Sequence, residues 1–154
     1  MYECNNQPGR SMDILQSFWR LKKAIMAQVK QIAHNHELSV PQFGILITMS
    51  HKGKITQKTL QERTHFPKST LSHAIDGLVL NGYLMRTPVE GNRREMDLSL
   101  SEAGHQLIKD IQSQPDSVHT RLTHAVNSFS EEQFNALIDM HQHIAAYLED
   151  GDIQ

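Results

Sequence analysis

The chain is poor in cysteine: its 154 residues include one, Cys4. A lone thiol closes no internal disulfide, so a disulfide-stapled fold is excluded and a reducing compartment fits. No apolar run approaches the ~18 residues of a membrane span, so no membrane partner is expected. The opening stretch MYECNNQPGRS lacks the apolar region of a secretory signal, and the expected location is cytoplasmic. Repeats and low-complexity segments are missing. So are a nucleophile elbow, a phosphate loop and a metalloprotease motif. The sequence therefore offers no catalytic residue, calls for no cofactor and points away from an enzyme.

Positive charge is also scarce where the chain ends. Residues 95–154 carry 2 Lys+Arg against 11 Asp+Glu. Residues 52–94 reverse this with 8 against 3, and residues 1–51 carry 5 against 3. The net charge of −2 hides the contrast. A basic centre beside an acidic end suits a polyanion-binding module attached to a part that stays off the polyanion. Clustering of charge on solvated faces is the plain alternative.

What is present is mostly helical. Ile14, Phe18, Leu21, Ile25, Val29 and Ile32 recur at helical spacing and predict a long helix over residues 13–36. Leu15, Trp19, Met26 and Ala33 widen its apolar stripe enough for more than one contact surface. SVPQ at 39–42 reads as a helix start, with Ser39 capping, Pro41 in the first turn and Gln42 closing a capping box. Phe43, Leu46, Ile47 and Met49 follow, and HKGK at 51–54 ends that helix.

A short helix capped by Thr56 is expected over 56–64, then a turn at HFP, then a helix over about 68–81. The buried face of this last helix is Leu71, Ile75, Leu78 and Val79, and Gly82 terminates it in the left-handed conformation. Gly77 lies inside it, where a close packing contact would explain it. From Tyr83 to Val89 the period becomes that of a strand. EGN at 90–92 is a turn, and Met96, Leu98 and Leu100 alternate with polar residues. These make a two-stranded hairpin with Arg93 and Arg94 at its tip. From Ser101 the apolar phase continues through Pro115, predicting one kinked helix to about Val126. SEEQ at 130–133 is a second capping box, opening a final helix.

A short helix, a tight turn, a second helix and a hairpin make a winged helix-turn-helix. The expected fold is mainly α with a small β-hairpin wing, flanked by long helices from both chain termini. Residues 1–12 are expected as a flexible tail and 13–154 as a single domain. Its winged core covers about 39–100, and its flanking helices cover about 13–36 and 101–149. In such a motif the polar front of the second helix enters the major groove while its apolar back packs on the core. Lys68, Ser69, Thr70, Ser72 and His73 form that front. With Arg93 and Arg94 they are the candidate DNA-binding residues, and double-stranded DNA is the expected partner.

The stretches LSVPQFGIL, ITQKTLQERTHFPKSTLSHAIDGLVLNGYLMR and NRREMDLSLSEAG, in that order, resemble the MarR family of bacterial transcriptional regulators. The resemblance covers about residues 13–149. It implies a homodimer knit by a helical dimerisation arm from both chain termini, the helices at about 13–36 and 101–149, probing a pseudo-palindromic operator with both recognition helices, and a repressor released by a small-molecule effector. It also puts the family's wing arginine at Arg94 and its bracing aspartate at Asn92, where this chain differs, with Glu90 nearby as a substitute. His73 and Gly77 stand where basic residues are frequent, implying a gentler salt dependence. Small aromatic or amphipathic effectors of such proteins sit between the dimer helices and the DNA-binding lobe. Phe18, Trp19, Met26, Phe43, Ile47 and Met49 are the candidate effector-binding residues, with a plain apolar core as the other reading of them.

Two other readings stay open. A winged helix serving as a protein-interaction module would share the apolar pattern but not the basic wing. A metal- or thiol-responsive sensor of the same fold is the second. Against metal, the ten histidines are badly spaced. His34/His36 and His141/His143 diverge on a helix, and His119 and His124 lie five apart. None has a partner at ligand spacing, so no metal site is predicted. Cys4 lies in a tail without flanking charge to activate its thiol.

Overall fold

A computed structural model describes residues 8–149. Among them are seven α-helices and three strands in the order α1 (Pro8–Asn35), α2 (Val40–Met49), β1 (Lys54–Thr56), α3 (Gln57–Thr64), α4 (Lys68–Leu80), β2 (Leu84–Val89), β3 (Asn92–Leu100), α5 (Glu102–Gln112), α6 (Val118–Val126) and α7 (Glu131–Glu149). The single domain expected over 13–154 is built as two compact units, the first ending at Ser117 and the second starting at Val118. Residues 8–12, expected in a flexible tail, are helical. Cys4 lies outside the described residues.

Local chemistry sets the helix starts. Ser39 Oγ accepts from the Gln42 amide at 3.2 Å while Gln42 Oε1 accepts from the Ser39 amide at 2.8 Å, a complete capping box. The pair is repeated in the second unit, where Ser130 Oγ accepts from the Gln133 amide at 3.1 Å and Gln133 Oε1 accepts from the Ser130 amide at 2.9 Å. Thr56 caps α3, its side chain accepting from the Thr59 amide. Gly82 takes φ +78 just past α4, as a terminator there must.

The core of the first unit lies where α2, α3, α4 and the sheet meet. Ile45, Leu46, Met49, Leu60, Leu71, Ile75, Leu78 and Leu98 are sealed from water there. On α4 the buried set is Leu71, Ala74, Ile75 and Leu78; Val79, expected inside, is only half-buried. Gly77 does reflect a close approach, since a Cβ there would stand 2.5 Å from Nε2 of the Gln42 side chain. Gly104 is more tightly constrained. Its Cβ would fall 2.2 Å from the Tyr83 carbonyl oxygen, a main-chain group that cannot step aside. That carbonyl also accepts from the Ser101 amide at 3.0 Å, and Ser101 Oγ donates to the Gly82 carbonyl and accepts from the Gly104 amide. The Ser-x-x-Gly sequence thus seats α5 on the turn that follows α4.

Two expectations need correction. The sheet has three strands, not two, in the order β1-β3-β2. β1 pairs antiparallel with β3, Lys54 opposite Ser99 and Thr56 opposite Asp97. Nor is there a kinked helix through Pro115. α5 ends at Gln112, with Ser113 as its C-cap, and α6 begins at Val118. Proline lacks the amide that would continue the ladder and pushes the preceding residue away from helical angles. These local constraints prevail over the unbroken apolar phase. Ser117, in the break, is nevertheless buried.

Candidate nucleic-acid interface

The helix-turn-helix is built from α3 and α4. α3 stops because His65 turns left-handed, at φ 54, with its amide still bonded to the Gln61 carbonyl at 2.9 Å. Phe66 then packs its ring edge against Gly44 of α2, where a Cβ would stand 3.0 Å away. This contact fixes the turn to the core. Pro67 precedes α4 and offers no side-chain cap. The first amides of α4 are therefore left for an outside acceptor, a position suited to phosphate.

Around α4 the residues sort by face. Lys68, Ser69 and His73 are exposed, and Thr70 and Ser72 are half-buried. The Ser72 hydroxyl is engaged from α3: Gln57 Nε2 donates to its Oγ at 3.0 Å. Asp76, one turn further on, is ion-paired with Arg86 of β2. That pair ties α4 to the sheet and withdraws the Arg86 charge from the basic face.

The wing is less regular than a plain hairpin. Pairing of β2 with β3 runs in step from Leu84↔Leu100 to Pro88↔Met96 and then jumps to Val89↔Asn92. Residues 93–95 are thereby looped out as a bulge, a device that re-aims side chains. Arg94 stands exposed in it, and Asn92 Oδ1 accepts from the Arg94 amide at 3.1 Å. Asn92 therefore braces the bulge through the main chain itself, and Glu90 is exposed. The Arg93 side chain lies outside what the structure describes.

A cleft of about 390 Å³ opens between these elements, lined by Thr56, Gln57, Lys58 and Gln61 of the α3 segment, by Lys68 of α4, and by Arg94, Glu95 and Met96 of the wing. Lys68 and Arg94 are thus brought together as the sequence suggested. Lys58, Gln57 and Gln61 are additions that sequence reasoning missed. Their signal was present: Gln57 and Gln61 are one turn apart on the polar side of a short amphipathic helix, with Lys58 between them.

The candidate effector residues are not gathered in the same way. Phe43 and Met49 are packed in the core of the first unit, whereas Trp19 is 60% exposed on α1. Phe18, Met26 and Ile47 are half-buried. Among the described residues no cluster of three or more His, Cys, Asp or Glu is arranged to hold a metal ion. Nor is any described helix long and apolar enough to cross a membrane.

Comparison with known proteins agrees with this geometry. Residues 38–96 match the MarR family. The chain is 27% identical over 113 residues to the HTH-type transcriptional regulator PecS of Dickeya dadantii, covering 70% of this chain and 68% of PecS. Its fold is similar to that of Sco3205, a MarR family transcriptional regulator from Streptomyces coelicolor solved in complex with DNA. The TM-score is 0.72 at 17% identity, covering 92% of this chain and 89% of the other. NadR, solved in complex with 4-hydroxyphenylacetate, also superposes with a TM-score of 0.72, at 19% identity over 86% of this chain and 92% of its own.

Proposed function

We propose that this chain, whose residues 38–96 match the MarR family and which is similar to HTH-type transcriptional regulators, works as a homodimeric repressor of a pseudo-palindromic operator and is released by a small molecule. Members of this family are regulators, not enzymes. The observation that carries the reading is the shared cleft. Lys58, Lys68 and Arg94 come from three different elements and line one opening beside the polar front of α4. Cations so arranged neutralise phosphates on both sides of a groove while α4 enters it. Ser69 and His73 face the bases, and Thr70 and Ser72 sit at the edge of the contact. An interaction module would have no need of this basic convergence.

The dimer follows from uncovered apolar surface. α1 exposes Met12, Ile14, Leu15, Trp19 and Leu21, and the second unit exposes Leu122, Phe129, Phe134, Ile138, Met140, Tyr147 and Leu148. Apolar surface on that scale marks an interface, and a second copy of the chain is its proposed cover. With the dimer formed, two α4 helices meet two half-sites about one helical turn apart. A regulator of this kind acts in the cytoplasm, where the bacterial chromosome is. For the effector, the bound 4-hydroxyphenylacetate in NadR favours a small aromatic acid. Phe18, Trp19, Met26 and Ile47 keep accessible surface for it, while Phe43 and Met49 serve the core.

Footprinting the DNA upstream of the protein's own operon tests this reading, followed by a screen of aromatic acids for release. The expected result is protection of two half-sites in register, lost on adding an active compound. Absence of protection at low salt would reject the proposal.

A further inference from the structure

The exposed stripe of α4 contains an acid. Ser69, His73, Asp76 and Leu80 follow one another at helical spacing, and all four are exposed. Asp76 is the one acid in α4, and it stands one turn beyond His73 on the side proposed to face DNA. A carboxylate there meets a polyanion, and like charges brought together in an interface repel. Lys58, Lys68 and Arg94 line the cleft together with Glu95, which already offsets one of them. A second bare acid would cancel most of their charge.

Asp76 is not bare. Nη2 of Arg86 on β2 pairs with Asp76 Oδ1. The sense of this bond is fixed, because a guanidinium only donates and an ionised carboxylate only accepts. Sheet register aims Arg86 at the helix. It lies opposite Leu98, which is sealed in the core, so its side chain leaves the sheet on the inner face. Met85 and Thr87, its neighbours in β2, take the outer face and are exposed. The pair itself stays open to water, the Asp76 side chain being 63% exposed and that of Arg86 31%. An ion pair so exposed contributes little to stability. Its place on the stripe, rather than its strength, gives it a function.

We propose that Arg86 acts on DNA binding through Asp76: it neutralises the one acid on the DNA-facing stripe of α4 and holds that carboxylate to the sheet. Arg86 is thereby a positioning residue and not a phosphate contact. Lys68 and Arg94 differ from it, since among the described residues neither is ion-paired. Their charge is left for phosphate, whereas that of Arg86 is spent inside the protein. The inference rests on the proposed DNA-binding role of α4 and adds to it a residue that does not touch the nucleic acid.

The test uses the full chain and the duplex that it protects upstream of its own operon. Gel-shift titrations at low and high salt compare the parent with Arg86→Gln, Arg86→Lys, Asp76→Asn and the double variant Arg86→Gln/Asp76→Asn. Lys109→Gln, which removes the same charge from an exposed site on α5, is the control for net charge. Melting curves should differ little among them, because exposed ion pairs hold little stability. Arg86→Gln should bind roughly tenfold more weakly at low salt, a size between those of a like-charge contact in water and at a protein surface. The gap should narrow at high salt, where the repulsion is screened. Arg86→Lys keeps the charge and should bind close to the parent. Asp76→Asn should bind at least as well as the parent, and the double variant should recover most of what Arg86→Gln loses. Arg86→Gln binding no worse than Lys109→Gln overturns this inference alone. So does a double variant as weak as Arg86→Gln, which would make Arg86 a direct phosphate contact. So does an Asp76→Asn variant weaker than the parent, which would make the pair a strut for α4. A parent that protects no DNA at low salt overturns the DNA-binding role and this inference with it.

Discussion

In the unit that ends at Ser117, Ile45, Leu46, Met49, Leu60, Leu71, Ile75 and Leu78 are sealed from water, whereas in α6 and α7 no residue is buried. Both regions hold apolar residues at helical spacing, and both open helices with the same Ser-x-x-Gln capping box. What separates them is the company available within one chain. α2, α3, α4 and the sheet close a core on their own. α6 and α7 carry the residues of a core without the layers that would cover it. Capping chemistry specifies where a helix begins; it does not supply the burial that holds a helix in place. In the proposed dimer a second copy of the chain supplies that cover.

The sharpest way to break this contrast is to delete residues 130–154. Loss of the dimer should turn two linked binding events into separate ones and lower operator affinity by roughly 10²- to 10⁴-fold. Analytical ultracentrifugation and gel-shift titration read the two consequences. A truncated chain that stays a dimer at micromolar concentration would remove the argument.

Next in size is a matched pair of leucines. Leu78→Ala should cost the first unit about 2–5 kcal/mol in urea unfolding, through lost burial and a residual cavity. Leu148→Ala, at a site 79% exposed in the single chain, should leave that unit's unfolding within about 0.5 kcal/mol of the parent. Its effect should be on self-association instead. Equal losses from both would mean that exposure in the single chain does not separate the two sites.

Gly104→Ala should destabilise the first unit by about 1–3 kcal/mol, because the new methyl meets the Tyr83 carbonyl and the α5 start must shift. Gly53→Ala, with open space around it, is the control, and thermal melting compares the two.

Arg94→Ala should leave stability and dimer alone, since the residue is exposed in a bulge. Operator affinity should fall by about 1–3 kcal/mol per half-site, and the slope of log affinity against log salt should flatten by roughly 1. Unchanged binding at both low and high salt would take the wing out of the interface.

How much of this was legible beforehand follows the range of the interactions. The capping boxes at Ser39 and Ser130, the cap at Thr56 and the terminator at Gly82 are decided within a few residues, and sequence alone locates them. β1 escaped notice because KIT holds one apolar residue and no alternation; it exists only because residues 97–99 of β3 come to meet it. The kinked helix is absent for a different reason: the local stereochemistry of Pro115 outweighs a continuous apolar phase. At the candidate site, the polar front of α4 and Arg94 were readable from residue type and motif. The contributions of Gln57, Lys58 and Gln61 were not singled out, since they depend on how α3 lies against α4 and the wing. The inward bond of Ser72 was hidden for the same reason.

The late partner of β1 also has a bearing on how the protein is made. Synthesis proceeds from the N-terminus, and domains fold as their parts emerge. Lys54 leaves the ribosome well before Ser99, its partner in the sheet, and contacts so far apart in sequence form slowly. Until β3 arrives, Thr56 lacks its strand pairing and Arg94 has no wing to stand on. The three cations of the cleft therefore converge only after residue 100 has been made. A nascent chain therefore lacks the proposed phosphate-facing surface while its first half sits beside ribosomal RNA, and completes it as the wing closes.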